Sequence, residues 1–147
     1  MTRIERFAAY AAAFEKTYES DDFSHIEPFF TEDAVYEVVG GPPFEGRTAG
    51  REALFAGLRE TLDQFDRRFA TRELALLEGP TEQGDTVWFR WKATYSKPGI
   101  PPLVVDGEET LTFSGDRIAH MQDRFSAQAV EEANAYLAKH GAALMTG

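Results

Sequence analysis

Residues 109–126 read ETLTFSGDRIAHMQDRFS, and this stretch decides the fold. Apolar and polar residues alternate up to Phe113, and a second alternating run begins at Arg117. Between them, Ser114-Gly115-Asp116 is typical of a tight turn. The stretch therefore predicts an antiparallel hairpin made of strands at Val105–Phe113 and Arg117–Ser126.

The same alternation extends upstream and predicts a larger sheet. Strands are expected at Ala34–Val39, Phe69–Leu77 and Thr86–Tyr95. The breaks between strands are marked by turn residues, namely Gly40-Gly41-Pro42-Pro43, Gln83-Gly84-Asp85 and the rigid connection Ser96–Pro102.

Four segments have helical periodicity. The first runs from Ile4 to Tyr18 behind a capping box of Thr2 and Glu5, and a brief second helix is expected around residues 23–30. A third helix is expected at Ala49–Phe65, and a last one is capped by Ser126 and ended by Gly141. This order of helices and strands predicts an α+β architecture.

Composition narrows the class of protein. The chain has 147 residues, which fits one domain over residues 1–147, and a net charge of -10, which argues against nucleic acid and anionic membranes as partners. It contains no cysteine, and no ligand partner stands near His25, His120 or His140 at metal-site spacing, so no metal is expected. The first residues do not form a signal peptide, which predicts a cytoplasmic protein.

Alternation also assigns the faces of the strands. In Thr86–Tyr95 the apolar residues occupy odd positions, which makes that face the core face. By the same count, Asp123 shares an apolar face with Met121, and Glu109 shares one with Leu111. Two carboxyl groups are therefore predicted on the apolar faces of consecutive strands.

Such a pair is costly to bury, because burial and mutual repulsion both favour a proton on one of the two groups. A protonated acid beside a carboxylate base is suited to proton transfer. The alternative interpretation is that each carboxyl group is hydrogen-bonded to Tyr18, Tyr36 or the backbone, or lies at a solvated strand end.

Three stretches resemble a known superfamily: FTEDAVYE at residues 30–37, GGPPFEGR at residues 40–47 and FSGDRIAHMQ at residues 113–122. They are similar to segments of the nuclear transport factor 2-like superfamily, which includes the ketosteroid isomerases and the SnoaL-like polyketide cyclases. The resemblance implies a cystatin-like cone, in which three N-terminal helices wrap a curved antiparallel or mixed sheet and a C-terminal helix follows. It also implies a cavity for a small hydrophobic molecule and a homodimer formed through the outer sheet face.

The resemblance does not extend to the isomerase chemistry. The catalytic Asp of the isomerases falls on Val38, and their Tyr of the first helix falls on Phe14. Their hydrogen-bonding Asp falls on Glu109, which keeps a carboxyl group on a longer side chain. Ketosteroid isomerase activity is therefore not expected.

An Asp of the last strand in the SnoaL-like cyclases, and in the similar limonene epoxide hydrolases, matches Asp123. The epoxide hydrolases also use an Arg, matched by Arg90, and a second Asp, whose position holds Lys92. That replacement argues against hydrolase activity.

Two hypotheses of function follow. In the first, the chain is a SnoaL-like enzyme without a cofactor that acts on a hydrophobic cyclic or polyketide-like substrate, with Asp123 as general base or acid and Glu109 as hydrogen-bond donor. In the second, the same cone only binds a hydrophobic ligand or serves dimerisation. The expected ligand-binding residues are Phe14, Tyr18, Tyr36, Val38, Phe55, Leu58, Phe89, Trp91, Leu111, Met121 and Phe125.

Overall fold

The computed structural model describes residues 2–42 and 44–145. The chain forms three α-helices, which are α1 (Arg3–Ser20), α2 (Arg51–Gln64) and α3 (Ala127–Met145). Its six strands are β1 (Phe30–Gly41), β2 (Phe44–Ala49), β3 (Thr71–Gln83), β4 (Thr86–Lys97), β5 (Ile100–Ser114) and β6 (Arg117–Arg124). Pro43, the last residue of the predicted breaker, lies outside the described residues.

All six strands join one curved sheet in the order β2-β1-β6-β5-β4-β3. Neighbouring strands are antiparallel except for β1 and β6, which pair in parallel. The sheet is therefore mixed, and the predicted α+β class is confirmed. Helix α1 packs near β3 and β4, α2 near β1 and β2, and α3 near β5 and β1.

The predicted helix ends agree with the structure at two positions. The Thr2 side chain accepts a hydrogen bond from the Glu5 backbone, and the Glu5 side chain accepts one from the Thr2 backbone, which completes the capping box. The hydroxyl of Ser126 caps α3 by accepting a hydrogen bond from the backbone N–H of Ala129.

Other boundaries differ from the sequence-based expectation. The second helix is only two 3₁₀ turns, Phe23–His25 and Glu27–Phe29, because Pro28 supplies no amide for a longer helix. Helix α3 continues through Gly141 to Met145, since the extra turn buries Leu144 against the sheet. Strand β2 has no counterpart in the sequence analysis.

The predicted core face of β4 is confirmed, because Val87, Phe89, Ala93 and Tyr95 are buried. In β6 the alternation holds for Met121 and Asp123 but not at the start of the strand. There the register shifts between Thr112 and Phe113 of the partner strand, so that Ile118 is buried where the alternation predicted Ala119. A β-bulge of this kind reverses which residues face inward.

Two hydrophobic clusters lie on the inner face of the sheet. The first lies between the sheet and helices α1 and α2, and the second lies near the end of α3. Fully buried members of the first cluster include Ile26, Phe30, Ala34, Leu54, Val87, Leu111 and Ile118. The second cluster contains Phe69, Ala93, Tyr95, Leu103, Val105 and Leu144.

Candidate functional site

A row of four residues crosses the inner face of the sheet between the two clusters. The strand register places Val38 beside Asp123, Asp123 opposite Glu109, and Glu109 opposite Phe89. Directly opposed residues in antiparallel strands have Cβ atoms about 4.5–5.5 Å apart. Both predicted carboxyl groups therefore lie side by side on the inner face.

The carboxyl group of Asp123 is held in one place by its surroundings. Asp123 is 9% exposed, and its Oδ2 accepts a hydrogen bond from the hydroxyl of Tyr36 on β1. Its Oδ1 is buried and accepts no hydrogen bond from an N–H or hydroxyl group of residues 2–42 and 44–145. Among these residues, neither Asp123 nor Glu109 has a cationic side chain in ion-pair contact.

Burial without a counter-ion shifts both carboxyl groups towards their protonated forms. Burial raises the pKa of Glu109 well above its ordinary value, and the neighbouring Asp123 raises it further. Burial also raises the pKa of Asp123, but hydrogen bonding with Glu109 and Tyr36 opposes this shift. The pair thus favours a proton on Glu109 and a carboxylate on Asp123.

Two tyrosines supply neutral donors next to the pair. Burial and the charge of Asp123 raise the pKa of Tyr36 well above its ordinary value, so that its hydroxyl keeps the proton. The pKa of Tyr10, on α1, is raised in the same way by burial and by Glu109 and Asp123. The hydroxyl of Tyr10 contacts the Sδ of Met121 at 3.7 Å, and a thioether is a weak acceptor.

Tyr10 was not found by the sequence analysis. It lies three residues after Phe7 and four before Phe14, so it belongs to the buried stripe of α1. That spacing could have identified it. The phenol of Tyr10 lies on α1 one turn before Phe14. Phe14 occupies the position at which the ketosteroid isomerases carry their Tyr.

The other predicted ligand-binding residues divide between the row and the two clusters. Leu58, Leu111 and Met121 are buried in the first cluster, where Phe14, Tyr18, Tyr36 and Phe55 pack against them. Trp91 and Phe125 pack against the second cluster. Val38 and Phe89 lie in the row itself.

The row keeps accessible surface although it faces inward. Val38 and Glu109 of the row and the neighbouring Tyr36 are partly exposed, whereas Asp123 and Phe89 of the row are buried, as are Leu111 and Val105 on either side. Accessible surface on an inward-facing side chain means that the helices do not close tightly over this part of the sheet.

The two residues matched to the epoxide hydrolase positions, Arg90 and Lys92, do not lie beside the carboxyl pair. Arg90 is on the outer face, where its Nη1 contacts Glu78 Oε1 at 2.7 Å, and Lys92 is on the same face. Asp123 faces the opposite side of the sheet from Arg90 and Lys92. The residues at these two positions therefore do not form the epoxide hydrolase arrangement with Asp123.

A second buried polar group lies on the inner face, at the end of the sheet near α2. Arg72 Nε is 3.1 Å from Asp66 Oδ2, which also accepts a hydrogen bond from the hydroxyl of Tyr95 at 3.2 Å. Arg72 also contacts Glu15 of α1, and its guanidinium lies 4.7 Å from the ring centre of Tyr18. These contacts attach α1 to β3, and they place Tyr18 here instead of beside the carboxyl pair.

Two further findings concern other classes of site. No group of three or more His, Cys, Asp or Glu side chains with metal-site geometry occurs in the described part of the chain. Within that part, no helix has the length and apolar character needed to span a membrane.

Comparison with known proteins gives one family and many structures of the same fold. The family model of the SnoaL-like domain matches residues 8–121. No curated protein matches the chain. The similar structures include cystatin-like and nuclear transport factor 2-like proteins of unknown function.

Three of these structures illustrate the range of the fold. TerC, co-crystallised with polyporic acid, is 21% identical, with a TM-score of 0.64 over 88% of this chain and 95% of TerC. A hypothetical protein of ketosteroid isomerase-like fold from Catenulispora acidiphila, in complex with trimethylamine, is 20% identical, with a TM-score of 0.59 over 82% and 88%. A putative SnoaL-like polyketide cyclase from Mesorhizobium loti is 20% identical, with a TM-score of 0.54 over 84% and 98%.

Proposed function

The chain belongs to the SnoaL-like domain family, and we propose that it is a cofactor-independent enzyme that performs general acid–base chemistry on a small hydrophobic cyclic or polyketide-like substrate. The observation that carries the proposal is the carboxyl pair of Glu109 and Asp123, which lies side by side on the inner face without a counter-ion among the described residues. A protein gains nothing in stability from such a pair, and perturbed carboxyl groups of this kind are typical of functional sites.

Asp123 is the proposed base. Its Oδ1 receives no hydrogen bond from an N–H or hydroxyl group of the described residues, and in the proposal it accepts a proton from a carbon acid or a hydroxyl group of the substrate. The hydrogen bond from Tyr36 to Oδ2 fixes the orientation of the carboxylate and keeps its pKa from rising further. In this arrangement Tyr36 is a positioning residue.

Glu109 and Tyr10 are the proposed donors to the oxygen on which negative charge develops. Both groups keep their protons at neutral pH because burial raises their pKa values. Neutral donors that are already in place stabilise an enolate more strongly than water does, because they need no reorganisation during the reaction.

The charge of the site favours a neutral substrate. The described residues bring no cation to the pair, and the chain carries a net charge of -10. A carboxylate or phosphate would therefore be repelled from Asp123. Phe89 in the row and the aromatic side chains of the adjoining first cluster suit an uncharged ring system.

The test is hydrogen–deuterium exchange at the acidic C–H groups of neutral cyclic ketones, measured by NMR in D₂O with 2-tetralone and a panel of 1,3-cyclic diketones. The wild-type protein should catalyse exchange, and D123N should lower the rate at least about 100-fold, the usual contribution of a positioned base. The matched control is D106N, since Asp106 lies on the outer face of β5.

The same panel separates the enzyme from the ligand-binding alternative. If ligands raise the melting temperature but neither the wild type nor any variant catalyses exchange, the protein is a carrier and the enzyme hypothesis is excluded. Equal exchange rates in the wild type and D123N would exclude Asp123 as the base.

We also propose that the protein is a homodimer formed through the outer sheet face. The register aligns Glu78, Arg90, Glu108 and Arg124 in one row of alternating charge across four strands. Such a row can pair with its own copy around a two-fold axis. A groove of about 580 Å³ lies along the same row, and Val104 on this face is 47% exposed.

A further inference from the structure

The indole N–H of Trp91 is a second buried polar group without a partner on the inner face. Trp91 Nε1 is inaccessible to solvent and donates no hydrogen bond to the described residues. An unpaired buried donor costs free energy, and native proteins seldom retain one without a reason. The proposed reaction assigns no role to this group.

The ring of Trp91 is positioned by a glycine on the next strand. Trp91 pairs with Gly107, and the Cζ2 atom of the indole lies 3.1 Å from the place that a Cβ on Gly107 would take. Because Cζ2 is two bonds from Nε1, the N–H group lies close to this contact with Gly107. The indole also packs edge-to-face with Phe125, with ring centres 5.7 Å apart.

Gly107, which the indole of Trp91 covers, lies one two-residue repeat along β5 from Glu109 of the carboxyl pair. Gly107 and Glu109 are two residues apart on the same face, which corresponds to about 7 Å along a strand. The inner face therefore carries an acceptor at Asp123, whose Oδ1 receives no hydrogen bond from an N–H or hydroxyl group of the described residues, and a donor at Trp91 Nε1, which has no acceptor among them. The remaining surroundings of the row are mainly aromatic and aliphatic.

From this juxtaposition we infer that Trp91 is a specificity-determining residue, and that the substrate is a neutral ring compound with oxygen at both ends. One end carries the acidic C–H or O–H group that meets Asp123. The other end carries a carbonyl, ether or hydroxyl oxygen that accepts the hydrogen bond of Trp91. The inference rests on the proposed function, which places the substrate against Asp123. It adds the requirement that the substrate carry a second oxygen, which accepts the hydrogen bond of Trp91.

The test compares two ligands of nearly equal shape, 6-methoxy-2-naphthol and 6-ethyl-2-naphthol. Both carry the hydroxyl group, and only the methoxy compound can accept a hydrogen bond at the far end. Their dissociation constants are measured by naphthol fluorescence. The wild-type protein should prefer the methoxy compound about five- to tenfold, which is the ordinary worth of one neutral hydrogen bond. W91F should abolish the preference, and W88F should keep it because Trp88 lies on the outer face.

A spectroscopic measurement covers the case in which W91F folds poorly. The chain has two tryptophans, so that the ¹H–¹⁵N spectrum contains two indole signals, and the signal of Trp88 is the internal control. The methoxy compound should shift the Trp91 indole proton downfield and the ethyl compound should not. Equal affinity for both compounds, no binding of either at millimolar concentration, or an unchanged Trp91 signal would overturn the inference.

The outcome is distinguishable from that of the proposed function. Preference for the methoxy compound without any ketone exchange would support the role of Trp91 and exclude the enzyme. Ketone exchange that depends on Asp123, together with equal binding of the two naphthols, would support the enzyme and exclude the role of Trp91.

Discussion

Glu108 and Glu109 are consecutive residues of one strand that face opposite sides of the sheet. Glu108 is aligned with Arg90 and Arg124 on the outer face, whereas Glu109 is aligned with Asp123 and Phe89 on the inner face. The two side chains have the same chemistry, so that comparison of their variants isolates the effect of the environment.

Replacing Glu109 by Gln should stabilise the protein at neutral pH by about 1–2 kcal/mol, because it removes a carboxyl group that is costly to ionise when buried. The folded-state pKa of Glu109 is raised, so the folded chain binds more protons than the unfolded chain above the ordinary pKa. Wild-type stability therefore falls as the pH rises through this range, and the advantage of E109Q grows.

Thermal unfolding of the wild type, E109Q and E108Q between pH 4 and pH 8 measures this effect. E108Q should stay within about 0.5 kcal/mol of the wild type, as is usual for surface substitutions. A stability difference between E109Q and the wild type that does not change with pH would contradict the assignment of the proton to Glu109.

Replacing Tyr36 by Phe should move the acid limb of ketone exchange to higher pH. The hydrogen bond from Tyr36 lowers the pKa of Asp123, so its loss lets the pKa rise and leaves less carboxylate at a given pH. On the acid limb, where most of Asp123 is protonated in both proteins, the exchange rate should fall about tenfold. Y136F is the control, because the hydroxyl of Tyr136 bonds to the backbone of Pro101, far from the pair in the sheet. An unshifted acid limb would show that Tyr36 does not act through Asp123.

Replacing Arg72 by Met should destabilise the protein by about 3–5 kcal/mol at pH 7, because Asp66 is then buried without a cation. D66N should cost less, since Arg72 still contacts Glu15. Burial already raises the pKa of Asp66, and loss of Arg72 raises it further, so that the defect of R72M should shrink as the pH falls and Asp66 takes up a proton. Chemical denaturation of both variants at pH 4.5 and pH 7 tests whether R72M costs more stability than D66N. A larger loss of stability in D66N than in R72M at pH 7 would refute the prediction.

Replacing Glu108 by Arg should weaken the proposed dimer at least about tenfold, because three adjacent cations would then stand in the outer-face row and lose complementarity with a second copy. Sedimentation equilibrium of the wild type and E108R gives the dissociation constants. E60R makes the same charge change on the exposed face of α2 and should leave association unchanged. A monomeric wild type, or equal effects of the two variants, would exclude this interface.

Strand alternation was sufficient to predict the sheet face on which Asp123 and Glu109 lie. The apolar neighbours Met121 and Leu111 predicted that Asp123 and Glu109 face inward. The strand register pairs Asp123 with Glu109, as this prediction requires. Alternation could not reveal the bulge at Ala119, because an inserted residue changes the hydrogen-bond ladder without leaving a mark in the composition of the strand.

Features that depend on tertiary contact were also beyond the sequence. Strand β2 has the sequence FEGRTA, which lacks regular alternation, and it forms at the sheet edge through its pairing with β1 and its packing against α2. Gly141 costs about 1 kcal/mol in a helix interior, but burial of Leu144 compensates for that cost. The hydrogen bond of Tyr36 to Asp123 depends on the parallel pairing of β1 with β6, which no local pattern encodes.

The parallel pairing has a consequence for synthesis of the protein in the cell. Tyr36 and Asp123 are 87 residues apart in the chain, and β6 lies between β1 and β5 in the sheet. Until the ribosome has released β6, β1 has no neighbour on that side and the two parts of the sheet cannot join. Contacts of such long range form slowly and leave unpaired strand edges exposed in the nascent chain. The emerging polypeptide should therefore depend on chaperones until its last strand is inserted.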